Sequence, residues 1–273
     1  MAEYEPYKAL LDFPIIHGRY LCNEVLSNTN NKDRPITISD DIQILTVVDA
    51  PSRCQSLLDN TFFIKAKVHT IVIDEYVKWI SKIKHLKEYI EAEYDNLPSY
   101  ILYVDAFDTL IQQDILEPQK ILDFYDCKML FNMEANYSHT GFPGPTHEYF
   151  DPLYYREAPR CYELSEKKFG SPVQCALNAG VFLGEKQFTL QILTEALNYM
   201  LDDFTKGYPY GCLDDQCLLR FIHNEHFNNI SVDLFNKFCF WGTVLTFEDL
   251  SDNNIFGVGH TQKYLKKYID GKH

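Results

Sequence analysis

99-SYILYVDAFDTLI-111 carries five apolar or aromatic residues in a row, Tyr100 to Val104, with Asp105 and Asp108 directly behind them. An unbroken run of β-formers predicts a strand buried on both faces, as in a parallel sheet. Ligand sites in such sheets lie just beyond the carboxyl ends of the strands. The two acids therefore fall where an open α/β fold does its chemistry. Three residues apart at a strand end, they can converge on one hard cation, which prefers oxygen ligands. A plain Asp-rich turn is the structural alternative.

Working outward, 42-IQILTVVD-49 and 68-VHTIVID-74 read as two more buried strands. The first is followed by the breaker Ala50, Pro51 and Ser52, then by a helical spacing over 53-RCQSLLDNTFF-63. Neither the dinucleotide fingerprint nor a P-loop is present. A basic amphipathic helix is expected over 76-YVKWISKIKHLKEYIEAEY-94, with Trp79, Ile80, Ile83, Leu86 and Ile90 as its apolar stripe. Lys82, Lys84 and Lys87 are expected on or near its polar side. The run 128-KMLFNMEA-135 ends in Glu134 and predicts a further strand finishing at the same sheet edge. Alternating strands and helices at this spacing predict an α/β fold of the Rossmann type, a mostly parallel sheet with helices on both faces.

Beyond residue 136 the chain is loop-like to about 172, with His139, His147 and several prolines. Then 175-CALNAGVFLGEKQF-188 reads as a short strand around an Asn-Ala-Gly turn. Helices are expected over 186–204 and from 214-DDQCLLRFIHNEHF-227, where Asp214 suits the helix start. The stretch 230-ISVDLFNKFCFW-241 reads as strand and turn, and 255-IFGVGHTQKYLKKYI-269 places His260 in a glycine-flanked turn before a last helix.

The 273 residues fit one large domain or two small ones. We expect a single domain over 1–273: an irregular segment at 1–41, a nucleotide-binding half at 42–135 and an acceptor-side half at 136–273. A net charge of −14 argues against broad nucleic-acid binding. No apolar run approaches the roughly 18 residues that span a bilayer. None of the eight cysteines forms a C-x-x-C pair, so a structural zinc site is not expected. The opening MAEYEPYKALLDF lacks a basic segment followed by an apolar run, so the expectation is a cytoplasmic protein with reduced cysteines.

Four features stand in one order: YVDAFDTLI, FNMEA, LNAGVFLG with LDDQ, and VGHTQKY. Together they resemble the glycosyltransferase domain of the procollagen lysyl hydroxylases and its relatives, from about residue 42 to about 269. The resemblance implies a GT-A-like fold that transfers sugar from a UDP-sugar to a hydroxyl acceptor with a divalent metal. The acceptor would be a hydroxyl of a glycan, glycolipid or protein. It makes Asp105, Asp108 and His260 the metal ligands and puts Lys263 near the diphosphate. Asn178, Asp214 and Asp215 then face the sugar and acceptor, and the strand ending at Thr46 and Val48 carries the uridine contacts. An imidazole among the ligands tilts the metal toward manganese. The chain departs from the family pattern in two places. The loop NYSHTGFPGPTHEYF has no tryptophan, and EYVKWIS replaces glycines before the basic helix. The donor nucleotide site is thus better matched than the sugar and acceptor side.

Two other readings are open. YVDAFDTLI also resembles the nucleophile motif of haloacid-dehalogenase-type phosphatases, which would make Asp105 a covalent nucleophile. Its late position in the chain and the unexplained His260 count against that. A non-catalytic GT-A-like binding domain would not need to keep these polar residues.

Overall fold

The computed structural model describes residues 15–17, 36–49, 68–75, 80–106, 109–111, 114–134, 163, 166–167, 176–205, 215–234 and 237–241. In chain order the elements are β1 (Ile15–His17), β2 (Ile42–Val48), β3 (Val68–Val72), α1 (Ile80–Ala92), β4 (Tyr100–Val104), β5 (Thr109–Ile111), α2 (Pro118–Phe124), β6 (Met129–Glu134), β7 (Ala176–Glu185), α3 (Lys186–Thr205), α4 (Asp215–Glu225), β8 (Ile230–Val232) and β9 (Cys239–Trp241).

The main sheet runs β3-β2-β4-β7-β6-β8, and a small second sheet runs β5-β1-β9. β2 pairs in parallel with both β3 and β4, and β6 pairs in parallel with β8. In the main sheet β7 runs against both its neighbours, β4 and β6, and in the small sheet β1 runs against β5. The α/β architecture expected from the sequence is therefore present, as a mixed sheet dominated by parallel pairs. Strands from 42–135 and from 136–273 interleave in it: β7 lies between β4 and β6.

Alternation along β4 sorts the core into two layers. Ile101 and Tyr103 face a layer with Ile83, Leu86 and Ile90 of α1, Ile192 and Leu193 of α3, and Leu218 and Ile222 of α4. Leu102 and Val104 face the other layer, with Leu122 of α2, Ile111 and Phe238. Helices thus cover both faces.

α1 is fixed from both ends of its contact. Ile83, Leu86 and Ile90 are fully buried, worth about 1.5–3 kcal/mol each. Past its C-terminus, Lys186 Nζ donates to the carbonyls of Tyr94 at 2.6 Å and Leu97 at 2.7 Å. Lys186 opens α3, so the two helices are tied where they meet. Nearby, a Cβ on Gly184 would collide with the Thr189 side chain and crowd Met129 at 3.2 Å, so β7 turns into α3 only with glycine there.

Two expectations change. The Asn-Ala-Gly segment is not a turn: it lies inside one ten-residue strand, β7. The sequence signal came from a register break. Phe131 of β6 sits opposite Phe182, but the next residue, Asn132, sits opposite Asn178. The residues between, Ala179 to Val181, bulge away from β6. Lys82 is the second change. It was expected at the polar side of α1, yet it is 3% exposed. Lys84 and Lys87 do pair at the surface, with Glu88 and Glu91.

Candidate functional site

β2 and β4 are parallel neighbours, and the chain leaves β2 toward β3 on one side and returns to β4 on the other. Their carboxyl ends therefore flank a point where strand order reverses, the place where open α/β sheets bind ligands. Asp105 follows the last residue of β4. Its backbone N–H donates to Gly180 O at 2.8 Å, which ties it to the bulge in β7.

Lys82 organises this edge. Its Nζ donates to Ala179 O at 3.1 Å and lies 3.5 Å from Asp105 Oδ1. It also forms an ion pair with Asp215 Oδ2, in which both side chains are almost fully buried. Below, it sits 5.0 Å from the centroid of the Tyr103 ring. The bulge is what makes this possible. It turns the Ala179 carbonyl toward Lys82, while the Ala179 N–H donates to Gln216 Oε1 at 3.3 Å. Bulges beside functional sites commonly re-aim groups in this way.

Asp215 opens α4, where an acid suits the helix dipole. It is 2% exposed, however, and its carboxylate turns inward to Lys82, so helix capping alone does not account for it. α4 is held against β7 by Arg220, whose Nε donates to Leu177 O at 3.0 Å. Asn178 accepts the Gly180 N–H at 2.8 Å and so shapes the bulge from within. Burying one ammonium costs several kcal/mol. Two carboxylates, a carbonyl and an aromatic face offset that cost.

Of the residues expected from the sequence, Asp105, Asn178 and Asp215 are brought together here. Thr46 and Val48 lie in β2 with both side chains buried, at 0% and 1% exposure. The Thr46 hydroxyl has no hydrogen-bond partner among the described residues. Asp108, Asp214, His260, Lys263 and the 136–160 loop lie outside the described residues. Among the described residues, no three His, Cys, Asp or Glu side chains gather as a metal-holding group. The described part of the expected donor set is Asp105, and it fits a hard divalent cation. It is a carboxylate, 34% exposed, at the open sheet edge, with Oδ1 held by a 2.6 Å hydrogen bond from the Tyr103 hydroxyl.

Tyr103 and Gln216 were not singled out from the sequence, and Lys82 was read only as a residue on or near the polar side of its helix. Lys82 had a usable signal: it shares a helix face with Leu86 and Ile90 at the four-residue spacing. Tyr103 faces the same side of β4 as Asp105, two residues on.

Scanned against protein-family models and compared with curated proteins, the sequence has no match. Among the described residues, no helix is long and apolar enough to cross a membrane.

Proposed function

We propose that this chain is a metal-dependent glycosyltransferase that moves a sugar from a nucleotide-sugar donor, a UDP-sugar, to a hydroxyl acceptor. The observation that carries it is Lys82, a buried ammonium shared by Asp105 and Asp215 at the carboxyl edge of the sheet. Asp105 is the residue read as a metal ligand, and Asp215 the residue read as facing the sugar. A lysine between them stands where charge builds on a departing diphosphate.

In this reading Asp105, Asp108 and His260 hold the cation, manganese for preference, which when bound offsets charge on the donor phosphates. Lys82 and Lys263 hold the leaving oxygens as point charges. Asp215 keeps Lys82 in place and accepts hydrogen bonds from sugar hydroxyls. Asp214 then orients the acceptor hydroxyl or takes its proton. Asn178 keeps the bulge in shape beneath the sugar. The carboxyl end of β2, with Thr46 and Val48, lies against the uridine. The aromatic 136–160 loop excludes water from the transferred sugar. A cytoplasmic setting goes with this reading.

The Lys82–Asp105 contact also suits the phosphatase alternative, in which a lysine would steady a nucleophilic Asp105. One screen separates the two. The chain is incubated with manganese and UDP- or GDP-sugars, or with generic phosphoesters, and release of nucleotide diphosphate and of inorganic phosphate is scored. The transferase releases UDP from a UDP-sugar. Release of inorganic phosphate from generic phosphoesters, with none of the diphosphate, would favour the phosphatase and overturn the proposal.

A further inference from the structure

The peptide between Ala179 and Gly180 is gripped by a side chain at each end. Its carbonyl, on Ala179, accepts from Lys82 Nζ at 3.1 Å. Its N–H, on Gly180, donates to Asn178 Oδ1 at 2.8 Å. The peptides on either side are held as well. The Ala179 N–H donates to Gln216 Oε1 at 3.3 Å, and the Gly180 carbonyl accepts the Asp105 N–H at 2.8 Å. One short stretch of the bulge thus meets α1, α4 and the end of β4.

A peptide plane can turn over in place by opposite changes of ψ before it and φ after it. A glycine after it makes that turn cheap, because glycine adopts φ of either sign. Here the residue after it is Gly180. Turned over, the peptide would aim an N–H at Lys82 in place of a carbonyl. Two donors would then meet at a buried point, where an unmet donor is costly. Asn178 holds the peptide the other way. An Asn that bonds the N–H two residues on makes a local turn of its own, and this one is 6% exposed. We propose that Asn178 is a positioning residue for Lys82: its amide oxygen latches the Ala179–Gly180 peptide so that the carbonyl faces the ammonium. The latched carbonyl then helps to keep Lys82 between Asp105 and Asp215. The bearing on sugar transfer rests on the transferase reading above.

The test follows the reactivity of the Lys82 amine toward a small acylating reagent in the whole chain. It is read by mass spectrometry, with Lys84, Lys87 and Lys186 as references. Asn178→Leu removes the latching oxygen. Asn178→Asp keeps it, and Asn178→Ser offers the same N–H a weaker acceptor. Taking the acceptor from a buried N–H shifts a local equilibrium by about 5–150-fold. Lys82 is expected to label at least about fivefold faster in Asn178→Leu. It should label at the wild-type rate in Asn178→Asp and at a rate between the two in Asn178→Ser, with the reference lysines unchanged. Diphosphate release from a UDP-sugar should fall and recover in the same order. Should Asn178→Leu not fold, Asn178→Ser against Asn178→Asp makes the same comparison. Unchanged Lys82 labelling in Asn178→Leu overturns the inference. So does labelling as fast in Asn178→Asp as in Asn178→Leu, because the oxygen would then not be the latch. A rise shared by Lys186 in Asn178→Ser means a loosened fold and overturns it too. If labelling follows the series but the wild-type chain releases no diphosphate, the transferase reading fails and the latch stands. If the wild type turns over and labelling is flat, only the latch fails.

Discussion

Two aspartates in this molecule are buried to the same depth and satisfied in opposite ways. Asp215, at the carboxyl edge of the sheet, is 2% exposed and faces a lysine. Asp233, in the loop after β8, is 0% exposed and faces neutral donors. Its Oδ2 accepts the N–H groups of Phe238 at 3.0 Å and Cys239 at 2.6 Å, and its Oδ1 accepts that of Lys237 at 2.8 Å and the Tyr125 hydroxyl. Burial raises its pKa above the ordinary carboxylate value, and those four hydrogen bonds pull the other way. Backbone amides are fixed dipoles, and a knot of them stitches β8 to β9 permanently. A lysine is a mobile charge on a flexible stem. Here it is held by two acids at the carboxyl edge of the sheet. The two acids differ in the kind of partner each has, fixed neutral dipoles at Asp233 and a charge at Asp215.

That distinction is most severely strained by Lys82→Ala. Removing the lysine leaves Asp215 buried without its counter-charge, at a cost of about 3–5 kcal/mol by denaturant unfolding. Diphosphate release should vanish with it. Lys82→Met, which keeps the stem and drops the charge, should recover part of the stability and none of the turnover. At Asp233 the order reverses. Asp233→Asn turns an amide nitrogen toward N–H donors and should cost about 1–3 kcal/mol, while turnover of the remaining folded protein stays at the wild-type level. If Asp233→Asn instead removes turnover with little loss of stability, the division between the two acids collapses.

A pH titration sharpens the contrast. The folded pKa of Asp233 lies above its unfolded value, near 3.8. Its stabilising contribution is therefore complete below that value and is lost as pH rises through the folded pKa. The stability advantage of the wild type over Asp233→Asn should narrow as pH is raised from below 4. An advantage that widens would mean the hydrogen bonds outweigh burial. The smallest effect belongs to the exposed pairs of α1. Lys84→Ala should change stability by about 0.3–0.5 kcal/mol and leave diphosphate release untouched, in direct contrast with Lys82 two residues away.

Much of this framework was legible in the sequence. The runs of β2, β4 and β6 announce strands because both faces are largely buried, so apolar residues follow one another with few polar breaks and no alternation is needed to find them. The edge on which Asp105 falls follows from strand direction alone. What was not legible depends on contacts far apart in the chain. Asn178-Ala179-Gly180 has the composition of a turn, and only the pairing with β6 shows that it is a bulge inside a strand. Lys82 has the composition of a surface position. Its burial is decided by Asp215, 133 positions along the sequence, and by a carbonyl that the bulge exposes. The helix start was read at Asp214, and the described helix begins at Asp215. Its second role appears only when α1 and α4 meet over the same edge.

The most direct test of the central claim is the turnover and ligand binding of Asp215→Asn. The side chain keeps its shape but no longer balances Lys82 or accepts charge-assisted hydrogen bonds from sugar hydroxyls. The account predicts that transfer from a UDP-sugar is abolished while calorimetry finds UDP and manganese binding near the wild-type level. Wild-type turnover by Asp215→Asn would contradict it: Asp215 would then be a helix start with a buried counter-ion, and the transfer site would lie elsewhere.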